Sequence, residues 1–349
     1  MNRLVIHSIT GILLLTASCT RIPGSGDRKG PIQDPDSMEY DAGAFDSVPV
    51  LKEFQLDMDQ FAKKVMNVPY VDKAVSVRQQ LDIVYPEETI GPYKVVVVLH
   101  SGGWYSGDKQ AESIAPIVEV INQGYALVSV NYRLSSEARW PAQLHDVKAA
   151  IRFLRANMDT YRLDTEKVVV WGIQAGAHLG LMLAATNDLP EHEDLTQGNP
   201  GLSSRVDGVV AWSPFTDLTT LSSASFPMAN RLMGFNVKSA RDRALTASPL
   251  NFVTNQFPPA LLVHGTADSI APYQQSVKLL HKINLETGDL RAELVTFEEG
   301  IHNDPMLRTS VNVLNNLDFV DKIYYKKVNP YRTAAVMDIK LNFNVEENE

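Results

Sequence analysis

Residues 168–176 of this chain form a turn built to push one side chain into a pocket, and the side chain at its apex is an amide. The stretch Val168-Val169-Val170-Trp171-Gly172-Ile173-Gln174-Ala175-Gly176 reads as a buried apolar strand running through a sharp turn into a helix. Glycines two residues either side of the apex let the backbone crowd together there. The pattern is that of the G-x-S-x-G nucleophile elbow, with glutamine where the serine belongs. The chemistry such an elbow serves is acyl transfer, in which a hydroxyl attacks a carbonyl, an imidazole moves its proton and a carboxylate fixes the imidazole tautomer. Gln174 cannot attack in this way, because the lone pair of its nitrogen is delocalised into its own carbonyl. It is also longer than serine, so its amide projects into the space an acyl group needs.

Three further loops follow apolar strands, at the end of a parallel sheet where ligands bind. His100-Ser101-Gly102-Gly103-Trp104 follows Val95 to Leu99, and its small residues let backbone N–H groups turn toward a developing oxyanion. His264-Gly265-Thr266-Ala267-Asp268 follows the Ala260 strand and sets a carboxylate at its end. Gly300-Ile301-His302 follows the Ala292 strand and supplies a histidine. Elbow, acid and histidine in that order are the α/β-hydrolase arrangement.

The elements that must position these loops are legible as runs of apolar residues. Strands are expected at Tyr70 to Val77, Gln80 to Tyr85, Val95 to Leu99, Ala126 to Asn131, Val168 to Trp171, Gly208 to Trp212, Ala260 to Val263 and Ala292 to Phe297. From Asp146 onward Val147, Ala150, Ile151, Leu154 and Met158 recur at helical spacing. Strands alternating with helical stretches predict an α/β fold, a mostly parallel sheet with helices on both faces. Residues 216–258 carry Phe226, Met228, Met233 and Phe235 without a strand signal and read as a small cap insertion. The domain is expected over 49–330, with a C-terminal tail at 331–349.

The chain has 349 residues, 44% of them hydrophobic and 21% charged, enough for one sizeable core. Its formal charge of -9 argues against a nucleic-acid surface, which needs concentrated Lys and Arg. Cys19 is the only cysteine, which excludes an intramolecular disulfide and a thiolate metal cluster. No metal or other cofactor is called for.

Arg3, the apolar run Leu4 to Leu15 and the small residues Thr16, Ala17 and Ser18 before Cys19 predict a lipoprotein-type signal peptide over 1–18. The run is short for a membrane span. The setting of Cys19 resembles a bacterial lipobox, although Thr16 stands where leucine is usual. An acyl chain there would contribute about 0.8 kcal/mol of membrane binding per buried methylene. The Gly-, Pro- and Asp-rich residues 19–48 would then be a tether, holding the domain in the bacterial cell envelope outside the cytoplasm.

Several motifs in order carry a closer resemblance. They are His100 to Trp104 continuing into Ser106-Gly107-Asp108-Lys109, Asn131-Tyr132-Arg133-Leu134-Ser135, and Pro141-Ala142-Gln143 followed by Asp146. The elbow followed by His178-Leu179, the stretch Gly198-Asn199-Pro200-Gly201, and His264-Gly265 with Asp268 complete the set. From roughly residue 68 to 325 the chain resembles bacterial α/β-hydrolase esterases of the feruloyl-esterase-like, hormone-sensitive-lipase-related type. The resemblance implies that His302 is the base and Asp268 its orienter, and that the N–H groups of Gly102, Gly103 and Ala175 form the oxyanion hole. Gln174 departs from it at the nucleophile, Ser101 at the second glycine of the oxyanion motif, and Ala177 at a common glycine after the elbow.

Trp104, Tyr105 and Phe215, with Phe226 and Met233, either line an aromatic-accepting pocket or are core and cap packing. His100, His178 and His264 read as structural, Arg133 and Asp146 as a buried ion pair, and Ser101 and Ser213 as weak substitutes for the missing nucleophile. Three functions stay open. The first is a lipid-anchored binding or regulatory protein that takes a small-molecule ester or acylated sugar in a pocket without covalent catalysis. The second is a slow hydrolase in which His302 and Asp268 activate a water held by Gln174. The third is a surface interaction module with a relic pocket.

Overall fold

Valine-rich runs with no polar face dictate strands buried on both sides, and the chain assembles them into one sheet. The computed structural model describes residues 4–5 and 55–326. Its strands are β1 (Leu4–Val5), β2 (Lys64–Pro69), β3 (Gln80–Val84), β4 (Tyr93–Leu99), β5 (Ala126–Val130), β6 (Leu163–Ile173), β7 (Gly208–Trp212), β8 (Ala260–Gly265) and β9 (Ala292–Phe297). They lie in the order β1-β9-β8-β7-β6-β4-β5-β3-β2. Strands β5, β4, β6, β7, β8 and β9 run parallel. The antiparallel strands β3 and β2 extend one edge, and β1 pairs antiparallel with β9 at the other.

The pleat sends alternate residues to opposite cores. Val95, Val97 and Leu99 of β4 and Val168 and Val170 of β6 join the layer beneath the helices α1 (Ala142–Ala156), α3 (Ala175–Ala185) and α6 (Gln274–Thr287). Val96, Val98, Val169 and Trp171 face the other layer, which the 3-10 segment Glu112–Gln123 and the last helix cover. The short helix α2 (Met158–Tyr161) precedes β6. Between β7 and β8 the chain forms α4 (Phe226–Met233) and α5 (Arg241–Leu245), and α7 (Ser310–Tyr325) closes the described region. This is the α/β-hydrolase fold.

One expected strand is corrected. Tyr70 to Val77 is a loop of turns, and the strand preceding β3 is Lys64–Pro69. Tyr70 misleads because it is buried for a different reason: its hydroxyl donates to the Asn131 carbonyl at 2.8 Å. Val75 and Val77 are 77% and 83% exposed, so they join no core. The helix expected from Asp146 starts earlier, at Ala142. Apart from Leu4–Val5, the expected signal peptide, Cys19, the tether and the tail from residue 331 lie outside the described residues.

Arg133 and Asp146 do pair, tying the loop after β5 to α1. Arg133 Nε donates to Asp146 Oδ2 at 2.9 Å and its Nη2 to Oδ1 at 2.7 Å. Asp146, fully buried, also accepts from the Arg133 backbone N–H at 2.9 Å and from Gln79 Nε2 at 3.0 Å. Removing one partner of a buried pair typically costs 3–5 kcal/mol, because the other charge stays desolvated. Arg133→Ala should therefore lower unfolding free energy by about 3 kcal/mol, the lower end of that range, since two donors to Asp146 remain. Urea titration of the parent and variant measures it.

Candidate active site

The elbow forms where the sequence places it, between the end of β6 and the start of α3. Gln174 sits at φ 51° and ψ -106°, a region that side-chain-bearing residues avoid and that strained functional turns use. Gly172 and Gly176 make it possible: a Cβ on Gly172 would collide with the Gly176 carbonyl, and one on Gly176 with the Leu99 carbonyl at the end of β4. The neighbouring strand pins the apex, because the Gln174 N–H donates to the Trp212 carbonyl at 2.8 Å.

The side chain at the apex is bound at both ends of its amide. Gln174 Oε1 accepts from the backbone N–H of Gly102 at 3.1 Å and of Gly103 at 3.2 Å. Gln174 Nε2 lies 3.1 Å from His302 Nε2, and His302 Nδ1 lies 2.8 Å from Asp268 Oδ2. These contacts fix the protons. Two N–H donors can face only the carbonyl oxygen, so the amide nitrogen must face the histidine. An amide N–H needs an acceptor, so His302 Nε2 carries the lone pair and Nδ1–H donates to Asp268. That is the tautomer a general base requires, but its lone pair is engaged by Gln174. The oxyanion donors are engaged too, by an oxygen of the same side chain.

Asp268 is held from several sides. Its Oδ1 accepts from the N–H groups of Ile270 at 2.9 Å and Ala271 at 2.8 Å, and its Oδ2 faces His264 Nε2 at 3.3 Å as well as His302. Burial pushes this carboxyl up, and the hydrogen bonds from His264 and His302 outweigh burial and bring it well below the usual aspartate value. A group whose pKa falls on folding contributes stability above its unfolded value, and that contribution drains away as pH falls through the folded one. Asp268→Asn should accordingly flatten the loss of Tm on acidification below about pH 4 relative to the parent, which a pH series of thermal melts measures.

His264 is a partner that reading the loop as mere packing missed. It is fully buried between Ser276 Oγ at 2.7 Å and the Ala271 carbonyl at 2.8 Å, and it backs Asp268. His100 stacks on Tyr132 with ring centres 4.3 Å apart. His178 accepts from Trp104 Nε1 at 3.2 Å and contacts the Ala247 carbonyl at 2.7 Å. Ala175 is the buried first residue of α3, and the two amides that reach Gln174 Oε1 are those of Gly102 and Gly103.

Trp104 and Phe215 are fully buried with rings 5.0 Å apart, and the structure places them in the packing beneath the loop. Tyr105 is half-buried, with the Arg231 guanidinium 5.4 Å from its ring centre, and with Met228 of α4 it borders Gly103. Ser101 donates to Ser113 Oγ at 3.2 Å. Ser213 sits at φ 46° and is buried.

Comparison with known proteins supports the family and the fold. The BD-FAE family model matches residues 81–283. Esterase LipC of Mycobacterium tuberculosis is 28% identical over 55% of this chain and 48% of its own length. A truncated carbohydrate esterase from gut microbiota superposes with a TM-score of 0.70 at 28% identity, covering 77% of this chain and 99% of that one. A bifunctional GH43-CE protein of Bacteroides eggerthii gives 0.67 at 29% identity, covering 74% of this chain and 35% of that one. The chain spans about half the length of the curated relatives it matches.

Proposed function

The chain belongs to the BD-FAE family of α/β-hydrolase esterases, and from that premise we propose that it is a ligand-binding or regulatory pseudo-esterase. Its pocket holds a small-molecule ester or acylated sugar without covalent catalysis. The observation that carries this reading is the double engagement of Gln174: its oxygen fills the oxyanion hole and its N–H caps the base. An incoming carbonyl can have neither group until the carboxamide moves aside. Direct attack by a water that His302 activates faces the same obstacle, although the 2.8 Å contact to Asp268 keeps the imidazole oriented for it.

The acylated-sugar class is favoured by the carbohydrate esterase named among the similar structures. Placement in the cell envelope, by a lipid on Cys19 and the tether behind it, belongs to the same proposal and rests on the sequence pattern alone.

Thermal-shift measurement against feruloylated and acetylated sugars, paired with a chromogenic acetate assay, tests the reading. A ligand at about 100 times its Kd contributes ~2.7 kcal/mol to a folded protein. In a domain of this size that is several degrees of Tm. We expect such a shift with at least one acylated sugar and no turnover above background. Turnover that disappears in His302→Ala would replace this reading with the water mechanism. No shift and no turnover across the panel would replace it with a surface interaction role.

A further inference from the structure

We propose that this chain deamidates its own Gln174, leaving a glutamate at the apex of the elbow. The carboxamide is held as a hydrolase holds a scissile amide. Its carbonyl oxygen lies 3.1 and 3.2 Å from two backbone donors, and its nitrogen lies 3.1 Å from an imidazole that Asp268 orients from 2.8 Å. Those donors polarise Cδ and stabilise negative charge on its oxygen, and the imidazole can carry a proton between water and a leaving nitrogen. Here the reacting carbonyl is tethered to the site, so no binding step is needed to place it. Gln174 is 8% exposed and the His302 side chain 12%, so the site keeps some contact with solvent.

The step balances with water as the only co-reactant. A water that displaces the amide N–H from His302 Nε2 gives its proton to that nitrogen and adds its oxygen to Cδ, while the oxyanion stays on the N–H groups of Gly102 and Gly103. Collapse breaks the Cδ–Nε2 bond, His302 returns the proton to the departing nitrogen, and ammonia leaves. The products are a carboxylate and an ammonium ion, and nothing is oxidised or reduced. In a well-studied hydrolase that has lost its triad, the remaining site still accelerates reaction about 10³- to 10⁴-fold over water.

The fold supplies its own control. Gln275 Oε1 also accepts from two backbone amides, those of Thr216 and Asp217, both at 2.7 Å. Its nitrogen, however, donates to the carbonyls of Asp217 and Thr220 at 3.1 Å, with no imidazole to protonate it. The proposal therefore separates two buried glutamines whose oxygens each accept from two backbone amides, the one at 275 being held more tightly.

The test is peptide mass spectrometry of the full chain after incubation at neutral pH in heavy-oxygen water. Position 174 should gain the amide-to-acid mass increment with heavy oxygen, while Gln275 keeps its amide. His302→Ala, checked for native melting, should convert at least ~10²-fold more slowly. Conversion already complete at purification, with Gln275 intact and His302→Ala still an amide at 174, is the same result. Retention of the Gln174 amide for as long as Gln275 retains its own overturns the proposal, as does conversion at the parent rate in His302→Ala. Should that variant not fold, Asp268→Asn takes its place, and retention in the unaltered protein decides the matter without either.

Discussion

Replacing Gln174 with serine is expected to raise hydrolysis of short-chain chromogenic esters by ~10³-fold or more over the unaltered protein. Loss of the triad nucleophile costs about 10⁶-fold in a well-studied hydrolase. Here everything around that nucleophile stands in place. The apex keeps its strained backbone, with Gly172 and Gly176 allowing the close approach. The N–H groups of Gly102 and Gly103 already hold an oxygen, and His302 already has the tautomer of a base. Serine empties the hole, uncaps His302 and supplies the hydroxyl in one substitution. The expected gain is set below the full 10⁶ because the Gly102-Gly103 and His302 loops accommodate a longer side chain in the unaltered protein. Measurement of kcat/KM for an acetate and a butyrate ester checks it. A variant that folds but stays within tenfold of the parent would show that the hole or the dyad is not competent.

The second large effect is the reversal of the first. In the Gln174→Ser background, adding Asp268→Asn should lower kcat/KM by about 10⁴-fold while the protein still melts cooperatively. Asparagine can turn an N–H toward His302 Nδ1, which drives the ring proton to Nε2. A ring protonated there cannot take the proton of a hydroxyl. The substitution leaves the size of the side chain nearly unchanged, so the loss reads tautomer control more than packing. Asp268 is also shared with His264 at 3.3 Å. His264→Ala should thus act in the same direction and more weakly, since it leaves the 2.8 Å contact to His302 in place. A double variant that keeps most of the activity would remove Asp268 from the account.

Much of this was legible in the residues because the fold punctuates itself. The β4 and β6 valine runs mark the strands, paired glycines mark the elbow, and short loops after β8 and β9 deliver Asp268 and His302. What stayed hidden was the direction of one side chain. The length of Gln174 suggested obstruction, whereas the structure shows a carboxamide using its acceptor on the hole and its donor on the base. The signal was there in principle: an amide carries both functions at about the separation that a carbonyl oxygen and its leaving group span. The backing role of His264 depends on where α6 places Ser276 and how the loop wraps Ala271 around it, and spacing alone does not give that. The first antiparallel strand escaped because Lys63 and Lys64 break its apolar pattern and Asn67 bulges it at φ 56°. Tyr70 with Val71, Val75 and Val77 gives the next segment the stronger apolar pattern.

Treatment of the unaltered protein and of Gln174→Ser with a fluorophosphonate, followed by mass mapping of the adduct, asks the central question most directly. The account predicts no adduct on the unaltered chain and a stoichiometric one at position 174 of the variant. A phosphonyl group on any residue of the unaltered chain would mean that another side chain makes the attack and that Gln174 does not close this site.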